Sequence, residues 1–334
     1  MATSTITAEP IRPTIEAEVS KPHDSHRQTS TAPQLEHFAV PAGVRTKQLI
    51  WSYVIAFSVM HALLPLAFVP WFFSWTALIA TPVLIYIFAT LGVNLTYHRI
   101  LTHRGLALPK WLERTFATFG MCCLTESPAR WVAIHRMHHQ FSDQQPDPHS
   151  PLAGFFWAHM EWLVRPNHDT STAEMYDRYA RDLIRDPYYF RCERNGWWWQ
   201  IYVAHVAIIF LAGLAAGYLW MGTWMGGLQL ASSLIVWGVI VRTVYVWHVT
   251  WAVNSFAHVQ GYRNYETSDA SRNNWWVALA TNGEGWHNNH HADQVACAHG
   301  HRWWEFDVTY ITVCILEFVG LATNVKRPRE WEKH

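Results

Sequence analysis

QLIWSYVIAFSVMHALLPLAFVPWFFSWTALIATPVLIYIFATLGVNLTY, residues 48–97, contains no Asp, Glu, Lys or Arg. As one helix it would run about 70 Å, more than twice the roughly 30 Å hydrocarbon core of a bilayer. It must therefore fold back as a hairpin of two spans, and Pro70-Trp71 is the expected turn. A second charge-free stretch, Asn195 to Val241, predicts another hairpin, turning between Met221 and Gly227. The averages hide this pattern, since 50% hydrophobic residues and a mean hydropathy near zero would suit a soluble protein.

Positive charge orients the hairpins. Arg45 and Lys47 precede the first, arginines crowd the segment from Arg99 to Arg194, and Arg263 to Lys333 follow the last, while both tips lack Lys and Arg. The positive-inside rule then predicts cytoplasmic termini and a cytoplasmic central segment. Residues 1–45, rich in Ser, Thr and Pro, read as a disordered cytoplasmic tail without the apolar run of a signal peptide. The membrane-embedded domain is expected over 46–325, with a short C-terminal tail at 326–334. Thr115 to Leu124 and Val308 to Thr323 are shorter apolar stretches, expected to lie along the interface. Balanced charge, 25 basic against 25 acidic residues, argues against a nucleic-acid partner, and 21 tryptophans suit an interfacial belt. Five cysteines show neither disulfide nor CxxC spacing and read as reduced apolar fillers.

Histidine carries the chemistry. His98 and His103 stand in HRILTH, His135, His138 and His139 in HRMHH, and His287, His290 and His291 in HNNHH. In the HxxHH clusters the spacing puts three rings on one helix face, and imidazole is the commonest metal ligand near neutral pH. With His258 the set numbers nine, too many for one zinc with four ligands; two metals fit, and iron suits a nitrogen-rich set with positions left for oxygen. The clusters flank the predicted spans on their cytoplasmic sides, whereas His23, His26 and His37 are incidental. Asn254 lies one turn before His258, so its amide can address the same metal. Asp143, Asp147, His149 and Glu284 flank the clusters and are candidates to orient ligating imidazoles. His98 and His103, five residues apart, would face about 140° apart on an α-helix, so a helix end is expected between them. Arg242 falls inside the fourth span, where it must face the protein interior or snorkel. His61, His205 and His248 are expected to be satisfied polar groups within spans.

These boxes, in this order and separated by membrane hairpins, resemble the membrane-bound fatty acyl desaturases. Longer stretches agree: HRMHHQFSDQQPDPHSPLAGFFWAHMEWL, TWAVNSFAHVQGYRNYETSD, and NGEGWHNNHH followed by HGHRWWEFDVTY. The likeness is to bacterial and cyanobacterial Δ9-type enzymes over roughly residues 48–325. It implies an all-α integral membrane protein with four transmembrane helices in two hairpins and a cytoplasmic helical cap holding a di-metal histidine site. It also implies O2-dependent insertion of a cis double bond, with two iron ions held by His98, His103, His135, His138, His139, His258, His287, His290 and His291, and Asn254 acting through water. Trp251 is implied near the acyl carbonyl, and electrons are expected from an external ferredoxin or cytochrome b5-like donor, since no haem-binding segment is evident.

Some positions depart from the family pattern. Ala133-Ile134 stands where the animal acyl-CoA enzymes carry a basic–acidic pair, which favours a lipid-linked acyl chain over acyl-CoA. Gln260 and Gln294-Val295 are further departures that nothing in the sequence explains. A di-iron membrane hydroxylase or oxygenase of alkyl or carotenoid substrates shares such clusters and is the nearest rival reading. A histidine-rich metal transporter is another, although transporter sites lie near the midplane on broken helices. A zinc hydrolase is disfavoured by the absence of HExxH.

Overall fold

The computed structural model describes residues 36–331. Its regular elements are helical, and β-type pairing among the described residues is confined to isolated bridges such as Val44 with Asn167. Among the described residues four helices are long and apolar enough to cross a membrane: Trp51–Phe68, Trp75–Thr102, Trp197–Met221 and Trp224–His258. They arise where the charge-free stretches predict them. The first turn runs through Pro70–Phe72, and Ser74 caps the second span by accepting from Ala77 N. The second turn is tighter than expected, only Gly222 and Thr223: Gly222 takes φ 68° and Thr223 Oγ1 accepts from Gly226 N, so the helix has already resumed by Gly226 and Gly227. Gln229 Nε2 donates to the Trp71 and Phe73 carbonyls, and Ser74 bonds Ser233 at 2.8 Å, which ties the two hairpin tips together.

The fourth span is the central one. Two-thirds of its apolar window is buried, against 6% for the first span. Phe57 of the first span packs on Trp247 with ring centroids 4.9 Å apart, and Val93 of the second clusters with Val246. The third span meets it through small residues: a Cβ on Gly213 would reach Ala231 Cα at 2.8 Å and one on Gly217 would reach Gly227 Cα at 2.9 Å. Such close backbone approach is how helices associate where lipid removes the hydrophobic drive. Arg242 takes the interior option. Fully buried, it donates to the Cys122 carbonyl at 2.8 Å, meets His205 Nε2 at 2.9 Å and stacks over Phe88.

Between the second and third spans the chain builds a layer of shorter helices, chiefly Lys110–Met121, Pro128–Phe141, Ala173–Tyr179 and Pro187–Arg194; Trp275–Ala280, His287–Ala292 and Val308–Phe318 follow the fourth span. Their starts are written locally. Ser127 and Asp186 each cap a helix that begins with Pro, and Asp307 caps the helix Val308–Phe318. The apolar stretch expected over Thr115 to Leu124 belongs to the helix Lys110–Met121, which ends before Leu124. This helix lies so close to the second span that a Cβ on Gly92 would come within 2.2 Å of Gly120 N.

Residues 1–35 of the expected N-terminal tail lie outside the described residues. Residues just after them follow the helical layer, as Arg45 N bonds Pro166 O at 2.8 Å. Near the other end, Lys326 N bonds Gly105 O and Lys326 O accepts from Cys297 N.

Candidate metal centre

The helix that carries His98 ends at Thr102, so a helix end does fall just before His103, which is its C-cap. The second span continues to Thr102, wound from Tyr86 onward with i→i+5 bonds, and His103 N bonds His98 O. In this wider winding the fifth residue returns after about one turn. The two rings thus share a face, their centroids 4.8 Å apart.

All nine histidines converge, in two groups. His98, His103, His135, His139 and His290 form one, and His138, His258, His287 and His291 the other, with ligand atoms within 4.8 Å of one another in each. Each HxxHH cluster is split between them. On an α-helix residues i and i+4 lie about 40° apart, while i+3 falls on the other side of i. Accordingly His135 and His139 go to one group with His138 to the other, and His287 and His291 pair while His290 crosses over.

Carboxylates set the tautomers. His98 Nδ1 donates to Glu284, His138 Nδ1 to Asp147 at 3.0 Å, His258 Nδ1 to Asp143 at 2.8 Å and His291 Nδ1 to Asp269 at 2.6 Å. A neutral ring that donates from Nδ1 carries its lone pair on Nε2. These Nε2 atoms point inward: His98 Nε2 lies 3.1 Å from His290 Nε2, which lies 3.0 Å from His139 Nε2, itself 3.0 Å from His135 Nε2. In the second group His258 and His287 bring their Nε2 atoms to 3.1 Å. His103 Nε2 and His291 Nε2 are buried with no partner among the described residues. So many facing lone pairs call for cations. The donor set fits two transition metals.

Electrostatics agree. Burial, reinforced by neighbouring imidazoles, holds His103, His135, His139, His287 and His290 well below the usual histidine value, so the rings are neutral as ligands must be. Burial alone would raise the carboxyls of Asp143, Asp147 and Asp269, but His258, His138 and His291 beside them outweigh it and keep all three below the ordinary range. Glu284 is likewise lowered against its own burial by Arg99, which donates to it at 2.7 Å and to Asp307 at 2.9 Å.

Of the orienting candidates, His149 differs from the three carboxylates. It stacks on His138 at 4.4 Å, burial pulls its pKa down to about 3, and it faces a cavity. That cavity, about 380 Å³ and mostly apolar, also reaches His135, Asn254 and Trp251, and is lined as well by Ser52 and Trp199 from the first turns of the first and third spans. Asn254 thus lines the cavity one turn from His258. Sequence reasoning missed Asp269 and His299. His299 is buried 4.4 Å from the His290 ring and 3.4 Å from Glu284. Both residues stood in stretches that matched the family, YETSD and HGHRWWEF, but their proximity to the clusters is tertiary. Away from the metal groups, His61, His248 and His159 form a chain of contacts at 2.9 and 3.0 Å that ends on Ser255, and His205 donates to the Tyr202 carbonyl.

An apolar cavity that reaches His135 of the first histidine group, at the ends of membrane helices, fits oxidation of an alkyl chain. The comparisons say the same. Residues 73–307 match the fatty acid desaturase family. The sn-1 stearoyl-lipid 9-desaturase of Synechocystis sp. is 39% identical over 280 residues, 84% of this chain and 81% of that protein. The sn-1 stearoyl-lipid 9-desaturase of Anabaena variabilis is 41% identical over 279 residues, 84% of this chain and 94% of its own. An acyl-CoA 5-desaturase of Anemone leveillei is 39% identical over 303 residues, 88% of each. With a family match over most of the chain and the metal pockets where that chemistry needs them, the chain belongs to the fatty acid desaturase family and is an oxidoreductase of lipid metabolism.

Proposed function

We propose that this protein inserts a cis double bond at the Δ9 position of a saturated acyl chain esterified in membrane lipid, using O2 and two iron ions. The observation that carries the reading is the pair of inward-facing imidazole groups, one of whose members, His135, opens on the apolar cavity. His98, His103, His135, His139 and His290 hold one iron. His138, His258, His287 and His291 hold the other, with Asn254 acting through a water. Iron leaves coordination positions for oxygen in a nitrogen-rich set, and when bound it supplies the oxidising power that no side chain has.

The protein's own work is positioning. Asp143, Asp147, Asp269 and Glu284 fix ring orientation, and the cavity walls align the alkyl chain and keep water from it. Trp251 meets the acyl carbonyl. Preference for a lipid-linked substrate is supported by the wall before the second cluster: Ile134 lines the cavity and Ala133 is buried against Met175 and Ala180. The nearby cations are also engaged. Arg130 donates to Glu126 and the Thr170 carbonyl, and Arg136 to Asp182 and the carbonyls of Leu101, Thr102 and Tyr179. Neither is free to take a nucleotide phosphate. Both termini and the metal groups face the cytoplasm, residues 46–325 form the working unit, and a separate ferredoxin or cytochrome b5-like protein supplies the electrons.

The test is purified, iron-loaded protein with a competent electron donor, offered stearoyl phospholipid and stearoyl-CoA separately. Product lighter by two hydrogens, with the bond at Δ9 and from the lipid, is expected. A product heavier by one oxygen would assign a hydroxylase instead, and turnover of the CoA ester alone would reverse the substrate choice.

A further inference from the structure

Given the desaturase reading, on which this inference rests, a lipid-linked substrate needs a place for its polar end outside the apolar cavity. A second cavity, about 350 Å³, backs onto one wall of the first. Glu126 lines the first cavity, and Ser127, the next residue, donates to Glu193, which lines the second. Consecutive Cα atoms are about 3.8 Å apart, so the partition there is about one residue thick. Arg194 of the second cavity and Trp198 of the first are also neighbours in the chain, joined through the turn at Gly196, φ 61°, that opens the third span.

The partition pairs its own polar groups with one another. Glu126 accepts from Tyr53 and Arg130, and Glu193 accepts from Ser127 and, at 2.6 Å, from Tyr176. The rest of the second cavity leaves charge to spare, because Arg181, Arg185 and Arg194 stand there against only Asp177 and Glu193. Asp177 is taken by Arg181, whose Nε donates to its Oδ1 at 2.8 Å. Arg185 and Arg194 are exposed and form no ion pair among the described residues; the Arg194 guanidinium lies 5.8 Å over the Phe190 ring. Arg194 precedes Trp197, the first residue of the third span, by one turn, which sets this cavity at the depth of lipid headgroups.

A guanidinium group is always charged and meets phosphate oxygens in paired, charge-assisted bonds. In a glycerophospholipid only the glycerol backbone parts the acyl ester from the phosphate, so one molecule can reach both sides of a partition one residue thick. We propose that the second cavity holds the phosphodiester of the substrate lipid on Arg185 and Arg194 while its acyl chain lies in the first. The substrate is thereby a glycerophospholipid and not a glycolipid with an uncharged headgroup.

The test is binding, read without turnover. Iron-loaded protein in dodecyl maltoside, kept anaerobic and without an electron donor, is titrated with stearoyl phosphatidylglycerol and with stearoyl monogalactosyldiacylglycerol, and bound lipid is counted by native mass spectrometry. The wild type should bind the phospholipid about tenfold more tightly, the low end for a hydrogen bond to a charged group, as suits exposed arginines. Arg185→Gln/Arg194→Gln should lose that preference, with iron content and melting temperature reporting its fold; the wild-type comparison gives the answer if the variant does not fold. Equal affinity of the wild type for the two lipids, or an unchanged preference in a folded variant, would overturn the site. Stearoyl-CoA and inorganic phosphate bring the same group from other sources, and either one binding as tightly as phosphatidylglycerol, and weakening as much in the variant, would overturn the assignment to lipid. Selective binding of phosphatidylglycerol by a protein that desaturates no stearoyl lipid once O2 and electrons are supplied would overturn the desaturase reading, and with it the substrate role, while the phosphate site stood.

Discussion

Asp143→Asn should weaken one metal site and spare the other. Asp143 Oδ2 accepts from His258 Nδ1 and from Ala270 N, both at 2.8 Å, and Oδ1 accepts from Ser150 Oγ at 2.6 Å. An asparagine can keep its oxygen toward His258 and Ala270 and present its amide to Ser150, whose hydroxyl can turn to accept. Its φ of 57° suits asparagine as well as aspartate. Shape and bond count survive, so the substitution isolates the charge. Charge-assisted bonds are about twice as strong as neutral ones, which puts the loss at the His258 bond near 1–2 kcal/mol, or roughly 5- to 30-fold in affinity. That agrees with the roughly 10- to 100-fold typical of groups that orient metal ligands. Anaerobic titration of metal-free protein with Fe2+, with bound metal counted after desalting, should show one site unchanged and one weakened by about tenfold. The weakened site is that of His138, His258, His287 and His291. Equal weakening of both sites, or of neither, would refute the two-group assignment.

Replacing His138 or His290 by Ala should abolish product while the chain still inserts in membranes, since insertion depends on the spans and each residue belongs to a different metal group. Product at near-normal levels from either variant would remove that residue from the ligand set. Asn254→Ala should cost less activity than His258→Ala, because a water-mediated contact tethers more weakly than a direct imidazole; complete loss in both would mean that Asn254 binds metal itself or holds substrate. Acid should destabilise the metal-free protein. Burial holds the folded-state values of His135, His139, His287 and His290 below the ordinary value of about 6.5, so at these four positions the unfolded chain binds more protons; they cost no stability above about pH 6.5 and an increasing amount as pH drops below it. Thermal melts across that range test the sign, and a melting temperature that rose on acidification would contradict it.

How much of this was legible without coordinates follows from the range of each interaction. Apolar runs without charge set the four spans, because a bilayer judges a segment by its own length and polarity. Helix caps at Ser74, Ser127 and Asp307 are equally local. The histidine spacing announced metal chemistry, since imidazoles three and four residues apart lie near one another on any helix. What spacing could not say is that each HxxHH cluster would be divided between two histidine groups, because that depends on the neighbouring elements bringing the other rings within reach. The pairing of His98 with His103 depended on a widened winding of the second span, which no residue pattern between them signals. Asp269 and His299 were invisible for the same reason: their partners His291 and His98 lie 22 and 201 positions away. Chain order wrote the helices and the ligand types, and only the packing of the buried fourth span against the helical layer decided which ligands meet and what the cavity between them can hold.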